Sequence, residues 1–264
     1  MKILGIETSC DETAIGIVDF EKRKILAYVV ASQIKIHQKF GGVVPEIASR
    51  AHFDLILPVL EKALKKAKIS LEKIDLISVT IGPGLIGSLL IGIETGKALS
   101  FFLKKPIVPA NHILEHLIAG FFEKEIEFPC LGLVISGGHT ILFLWKDVLD
   151  FEVLGQTRDD AVGEAFDKVA KVLKLGYPGG PAIEKAAKNV KKSSFELPIP
   201  MLKTDNFDFS YSGLKTAVVN LVKKEGLNKR KEIAFAFQKS AIQSLIFKLK
   251  KAIQKFSPKM VVVG

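Results

Sequence analysis

The chain has 264 residues, enough to bury one large core or two modest ones. It is 48% hydrophobic and 25% charged, as soluble globular proteins are, and its two cysteines, Cys10 and Cys130, exclude a disulfide framework and point to a reducing compartment. A formal net charge of +10, with lysines clustered at Lys65-Lys66, Lys191-Lys192, Lys223-Lys224 and Lys229-Arg230-Lys231, suits a polyanionic partner. A lysine-rich surface with no partner has the same composition, and charge alone does not separate the two.

Lys2 to Glu7 enters a strand directly with no signal peptide ahead of it, so a cytoplasmic location is expected. Ile3 to Thr8 and Ala14 to Phe20 read as strands around the polar turn Ser9-Cys-Asp-Glu-Thr13, and Ile25 to Ala31 as a third strand. Residues 32–45 read as a polar connection. Glu46 to Ala67 has helical spacing in Ile47, Ala51, Leu55, Leu60 and Leu64. Asp75 to Val79 is a short strand. Gly82-Pro-Gly-Leu-Ile-Gly87 opens a helix running to about Phe102, and it is no P-loop: the Gly-Lys-[Ser/Thr] ending is absent, since Lys97 is followed by Ala98. The apolar run Leu85 to Ile93 is too short to span a bilayer, so no membrane association is expected.

After the extended piece at Ile107 comes the densest chemistry, His112-Ile-Leu-Glu-His116, inside an apolar run from Asn111 to Phe122 that reads as helix. At roughly 3.6 residues per turn, i and i+4 share a face, so two imidazoles can meet one metal ion. Alone, this spacing suggests a metallopeptidase of the His-x-x-Glu-His type.

At Cys130 the pattern restarts. Leu131 to Ser136 and Thr140 to Trp145 read as strands around Gly137-Gly138, Phe151 to Leu154 as a third, and a helix begins near Asp159. With one constant offset, Leu4-Gly5 matches Leu131-Gly132, Ser9 matches Ser136, and Thr13 matches Thr140. This predicts an internally duplicated α/β chain with halves at residues 1–128 and 129–264. Two such halves form a cleft in which tight turns hold a nucleotide's phosphates, the logic of the actin, Hsp70 and sugar-kinase architecture. An ordinary hairpin turn is the competing reading of Gly137-Gly138.

Asp160, Glu164 and Asp167 fall on one face of the predicted helix. The helix dipole accounts for acids in the first turn, whereas Asp167 lies beyond it and can accept from the hydroxyls of a ribose or polyol. Tyr177-Pro-Gly-Gly-Pro181 reads as a rigid turn in which Gly180 allows close backbone approach to a ligand, or as a simple helix connector. Phe207 to Thr216 is dense in donors, as a binding loop would be, and helix capping at Leu214 to Val222 explains part of that.

Read in order, Glu7-Thr-Ser-Cys-Asp-Glu-Thr13, Gly42-Val-Val-Pro-Glu-Ile-Ala-Ser-Arg50, His112-Ile-Leu-Glu-His116, Ser136-Gly-Gly-His-Thr140, Gly163-Glu-Ala-Phe-Asp-Lys168, Tyr177-Pro-Gly-Gly-Pro181 and Phe209-Ser-Tyr-Ser-Gly-Leu-Lys215 resemble the tRNA threonylcarbamoyltransferase family across the whole chain. The resemblance implies an actin/Hsp70-like fold with a metal in the interdomain cleft. It implies transfer of threonylcarbamoyl from threonylcarbamoyl-adenylate to N6 of the adenosine 3′ to a tRNA anticodon, releasing AMP. His112 and His116 match the family's histidine metal ligands, with Fe(II) expected first and Zn(II) second. Val134, Ile135, Ser136, Gly137 and Gly138, with Asp167 and Gly180, match its substrate-binding positions. Ser9, Asp11 and Glu12 match its first polar hairpin; the chemistry of the transfer, rather than the resemblance, suggests Glu12 as a candidate proton acceptor. The family often has Asp where this chain has Glu184, and that position is not carried over. Expected partners are tRNA, a TsaB-like paralogue, a TsaE-like ATPase and a separate synthase that makes the donor.

The resemblance also carries a departure. This sequence ends at Val261-Val-Val-Val-Gly264, whereas the family continues with a Gly-Gly-x-Ala-Ala-Asn segment and a Thr-Asp-Asn segment that supplies a third metal ligand. The expectation is a second half incomplete at its C-terminus and weak or absent activity. The rival readings are a metallopeptidase resting on Glu115 and a non-catalytic nucleotide-binding scaffold.

Overall fold

Alternating apolar residues set the first strands, β1 (Lys2–Glu7), β2 (Glu12–Asp19) and β3 (Lys24–Ser32): in β2, Thr13, Ile15, Ile17 and Asp19 are buried and the residues between them are not. The computed structural model describes residues 1–121, 125–148 and 150–264. It divides into two units, Met1–Glu115 and His116–Gly264.

In the first unit β3 leads through α1 (Ile34–His37) to α2 (Pro45–Ala67), then β4 (Leu76–Gly82), α3 (Ile86–Leu103) and β5 (Ile107–Asn111). The short α1 lies within the stretch read as plain connection. Pro45 opens α2, where its missing N–H costs nothing, and Lys68 ends it in the left-handed region. The sheet order is β3-β2-β1-β4-β5, with β1 antiparallel to β2 and parallel to β4. Leu4, Ile6, Ile15, Ile17, Ile77 and Val79 of the sheet pack with Ile56, Val59, Leu60 and Ala63 of α2 into one core. On α3, a Cβ at Gly92 would lie 2.5 Å from Thr8 Oγ1, so glycine lets this helix approach β1.

Among the described residues α3 is the one helix long and apolar enough to cross a membrane by length and composition, although the run ending at Ile93 alone falls short. Here it lies along α2 and β4, burying Ser88, Leu89, Gly92 and Gly96 and exposing Ile86, Leu90, Phe101 and Phe102.

Helix α4 (His112–Ala119) spans the division between the units. The predicted helical run extends to Phe122, which lies outside the described residues.

The second unit repeats the plan. β6 (Cys130–Ile135), β7 (Thr140–Asp147) and β8 (Asp150–Gln156) are followed by α5 (Val162–Val172), α6 (Gly179–Ala187), α7 (Ser212–Glu225), α8 (Arg230–Phe256) and β9 (Met260–Val263). The order is β8-β7-β6-β9, again antiparallel, antiparallel, parallel. The register repeats too: Leu4 faces Ile17 and Gly5 faces Gly16, while Leu131 faces Leu144 and Gly132 faces Phe143. Helix α5 begins at Val162 rather than near Asp159, because Asp159 and Asp160 are engaged elsewhere. Asp159 accepts from the backbone N–H groups of Tyr211 and Ser212 and from the hydroxyls of Ser210 and Ser212. It thus caps α7 from a distant segment.

Candidate functional site

The first unit gathers its chemistry where β1 ends and α4 begins. Asn111 caps α4, its Oδ1 accepting from the N–H groups of Ile113 (3.0 Å) and Leu114 (3.2 Å). That sets His112 at the helix start and Glu115 one turn on. Glu7 is the last residue of β1, and Thr80 comes from the neighbouring β4. His112 Nδ1 lies 3.2 Å from Ser9 Oγ and 3.5 Å from Glu7 Oε2. The Thr80 hydroxyl donates to the Glu115 carboxylate, 2.9 Å and 3.0 Å from its two oxygens. Ligand atoms of Glu7, His112 and Glu115 all lie within 4.8 Å of one another.

Two carboxylates this close do not ionise independently. Burial opposes the charge on Glu7, yet hydrogen bonds from His112, Ser9 and Thr80 outweigh it and hold Glu7 below the usual carboxylate range. Glu115 moves the other way: burial, and then the charge of Glu7, push it up against the Thr80 bond. Glu7 Oε2 is buried and, apart from its 3.5 Å contact with His112 Nδ1, has no hydrogen-bond partner. A buried acceptor left unbonded, beside an imidazole and a second carboxylate, is a donor set suited to a divalent cation, so the residues present fit a metal.

His116 is one turn further along α4 and is not part of that group of three. Spacing points to the two histidines as ligands, takes Glu115 only as the base of the rival peptidase reading, and does not single out Glu7. Glu115 was within reach of the same reasoning, three residues after His112 on its helix. Glu7 was not, because only the fold brings a β1 residue to α4. Of the predicted hairpin residues, Ser9 is buried against His112, Asp11 is half-buried, and Glu12 is exposed at the start of β2.

The second tip follows β6, whose Val134 is buried and Ile135 half-buried. Ser136 closes a tight turn, its N–H donating to the His139 carbonyl (2.8 Å) and its Oγ accepting from the His139 N–H (3.0 Å). Gly137 and Gly138 are exposed, and a Cβ on either would meet open space. Beneath, Gly163 of α5 donates its N–H to the Ser136 carbonyl (3.2 Å), and a Cβ there would lie 2.5 Å from that oxygen. Asp167 accepts from the N–H of Gly179 at 2.6 Å, which ties α5 to the start of α6. Gly179, unnoticed in the sequence, makes that close approach, its Cβ position only 2.4 Å from the Asp167 Cα. Gly180 instead faces open space, next to a groove of about 650 Å³ lined by Pro181, Glu184, Lys185, Lys188, Phe235 and Gln238. The acidic face is neutralised: Asp160 pairs with Lys168 (2.6 Å) and Lys215 (3.0 Å), and Glu164 with Lys168 (2.9 Å).

Comparison with known proteins settles the lineage. The profile of the family described as TsaD: tRNA N6-adenosine threonylcarbamoyltransferase matches residues 24–264. The chain belongs to this family. A tRNA N6-adenosine threonylcarbamoyltransferase of Persephonella marina is 48% identical over 267 residues, covering 100% of this chain and 77% of the relative. One from Bacillus anthracis is 50% identical over 266 residues, covering 99% and 77%. One from Protochlamydia amoebophila is 47% identical over 275 residues, covering 100% and 80%. Among solved structures, the Acidaminococcus fermentans (R)-2-hydroxyglutaryl-CoA dehydratase component A superposes with a TM-score of 0.54 at 14% identity, covering 95% of this chain and 78% of that one. The activator of 2-hydroxyisocaproyl-CoA dehydratase from Clostridium difficile, with bound ADPNP, gives 0.50 at 13% identity, covering 100% and 80%. At that identity the likeness is one of fold, and it fits the duplicated α/β plan expected of an actin/Hsp70/sugar-kinase-like member of the TsaD family.

Proposed function

We infer that this chain is a tRNA N6-adenosine threonylcarbamoyltransferase. It moves the threonylcarbamoyl group of threonylcarbamoyl-adenylate to N6 of the adenosine 3′ to the anticodon in tRNAs that read codons beginning with A. The observation that carries this reading is the match of the whole chain, at about half identity, to proteins of that name. In the reaction N6 attacks the carbamoyl carbonyl, the bond from that carbon to the phosphate oxygen breaks, a proton leaves N6, and AMP departs. The donor is a mixed anhydride with a good leaving group. The adenine amine is a poor nucleophile, so positioning and charge stabilisation are what the protein must supply.

The arrangement supports a division of labour. His112 and His116, on one face of α4, with Glu7 and Glu115 close to His112, are proposed to hold one divalent ion, Fe(II) first and Zn(II) second. When bound, such an ion supplies Lewis-acid polarisation of the donor's oxygens. Ser9 orients His112, and the exposed Glu12 beside Asp11 takes the N6 proton. In the second unit the backbone from Val134 to Gly138 holds the donor, and Asp167, by anchoring Gly179, sets the neighbouring Gly180 against its nucleotide. The proposed partners are a TsaB-like paralogue, a TsaE-like ATPase and the synthase that supplies the donor, in the cytoplasm. A peptidase reading is not favoured: both oxygens of Glu115, its intended base, lie within hydrogen-bond reach of Thr80.

The test incubates the chain with unmodified tRNA, threonylcarbamoyl-adenylate, the partner proteins and Fe(II) or Zn(II), followed by mass spectrometry of the digested tRNA. Threonylcarbamoyladenosine above the enzyme-free background, lost on His112→Ala, is expected. Its absence both from this chain and from a version extended to the length of its relatives, with donor and partners shown competent, overturns the reading.

A further inference from the structure

The first tip rests on a buried polar layer to which the proposed reaction assigns nothing. His52 of α2 and His37 of α1 are both fully buried. His52 Nε2 lies 3.1 Å from the Cys10 carbonyl oxygen, and its Nδ1 lies 2.8 Å from Thr13 Oγ1. A carbonyl only accepts, so Nε2 carries the hydrogen and Nδ1 accepts from the Thr13 hydroxyl. Burial pushes this imidazole below its ordinary pKa, against the Cys10 bond and the carboxylates of Glu7 and Asp11, which favour the charged form. The neutral ring therefore keeps one donor and one acceptor, and both are used.

His37 repeats the pattern one layer away. Its Nδ1 accepts from the Val44 N–H (3.3 Å), and its Nε2 donates to Gln33 Oε1 (3.1 Å). The Gln33 backbone N–H then reaches the tip, donating to the Asp11 carbonyl at 3.0 Å, while Leu85 N–H donates to the Ser9 carbonyl at 2.8 Å. Three consecutive carbonyls, Ser9, Cys10 and Asp11, are thus each held by a different part of the unit. Of the three donors only His52 is a side chain, so it is the one a substitution can remove.

We propose that His52 is a positioning residue for the transfer reaction, its imidazole bridging the Cys10 carbonyl and the Thr13 hydroxyl so that the Ser9–Glu12 tip keeps Ser9 on His112 and presents its acidic side chains to the reactants. The proposal rests on the transferase reading. A residue needed only to fill space here would be apolar. A buried imidazole carries a desolvation cost, which two oriented bonds offset while fixing the peptide plane they hold.

His52→Phe fills the volume without a donor; His52→Gln keeps an N–H near the position of Nε2; Thr13→Val removes the other partner and leaves the ring. Each variant of the 264-residue chain is assayed for kcat and KM, corrected for folded fraction. Hydrogen exchange at the Gln33 and Leu85 amides is followed separately on the metal-free proteins. His52→Phe is expected to lower kcat by about 10- to 100-fold with the KM for tRNA within about twofold, because a misplaced reacting group costs rate rather than binding. Both amides exchange faster, those of β4 do not, and His52→Gln restores most of kcat and of the protection. Should His52→Phe not fold, Thr13→Val gives the same pattern at smaller amplitude. Wild-type kcat and exchange in whichever of these variants folds would overturn the proposal. A wild type without activity in a competent assay would overturn the transferase reading instead, and the exchange data would still decide whether His52 holds the tip.

Discussion

The two hairpin tips are built on the same strands in the same register, and they present opposite chemistry. Thr13 and Thr140 occupy equivalent places and both are buried. Thr13 bonds to a histidine side chain of α2, whereas Thr140 Oγ1 accepts the Val162 N–H at the start of α5 (2.9 Å). The first tip is pinned by neighbouring elements and carries Ser9, Asp11 and Glu12. The second closes on itself through Ser136 and leaves bare glycine backbone outside. One scaffold therefore presents two surfaces: acidic side chains at the first tip, whose Ser9 contacts His112, and at the second a glycine backbone without a Cβ in the way. What differs is which atoms are left over once the turn's own bonds are satisfied.

The comparison is broken most severely at the first site. His112→Ala or Glu7→Gln should reduce product formation by about 100-fold or more, since each removes part of the donor set, with the circular dichroism spectrum unchanged. Calorimetry with Zn(II) should show the same loss. At the second tip, Gly163→Ala forces a methyl into the Ser136 carbonyl and should cost about 2 kcal/mol in urea unfolding. Gly137→Ala should stay within about 0.5 kcal/mol of wild type yet raise the KM for the donor. A reversal of that order would sink the assignment of Gly137 to the ligand side. The equivalent threonines sharpen the contrast. Thr13→Val should cost about 1–2 kcal/mol by stranding His52 Nδ1, and Thr140→Val about 1 kcal/mol by uncapping α5, both by chemical denaturation.

The smallest effect is in pH. The folded state holds the Glu115 proton more tightly than the unfolded chain does, so stability is fullest below the ordinary carboxylate pKa. In the metal-free protein it declines as pH rises from there through the raised folded value. Glu115→Gln should flatten that slope, and an unchanged slope would mean that another group titrates.

The strands were legible from alternating burial in β2 and from the continuous apolar run of β6, and the duplication because its offset never shifts between Leu4 and Thr13. Helix α8 was missed for a physical reason. Its buried stripe of Ile233, Phe237, Ala241, Leu245 and Ala252 is interrupted by Ser244 and by Lys248, which is fully buried. The Lys248 ammonium is satisfied there by Thr204 and Asn206 oxygens at 2.6–3.4 Å, a circumstance no local pattern announces. The acidic face of α5 misled in the other direction, since its lysine partners include Lys215 of α7, far along the chain. Spacing reveals who shares an element; it is silent about who is brought to it by a crossover, which is how Glu7 and Thr80 reached Glu115.

The shared register also bears on where the two units can differ in length. A one-residue slip in a half-buried strand turns every side chain to the wrong face. The paired stretches of β1–β2 and β6–β7 thus tolerate no insertion, and a difference in length has to lie elsewhere. Such a difference is found in the crossover from the third strand to the fourth, which occupies residues 33–75 in the first unit and 157–259 in the second. That junction is where the two units part, while the hairpins hold one pairing in both.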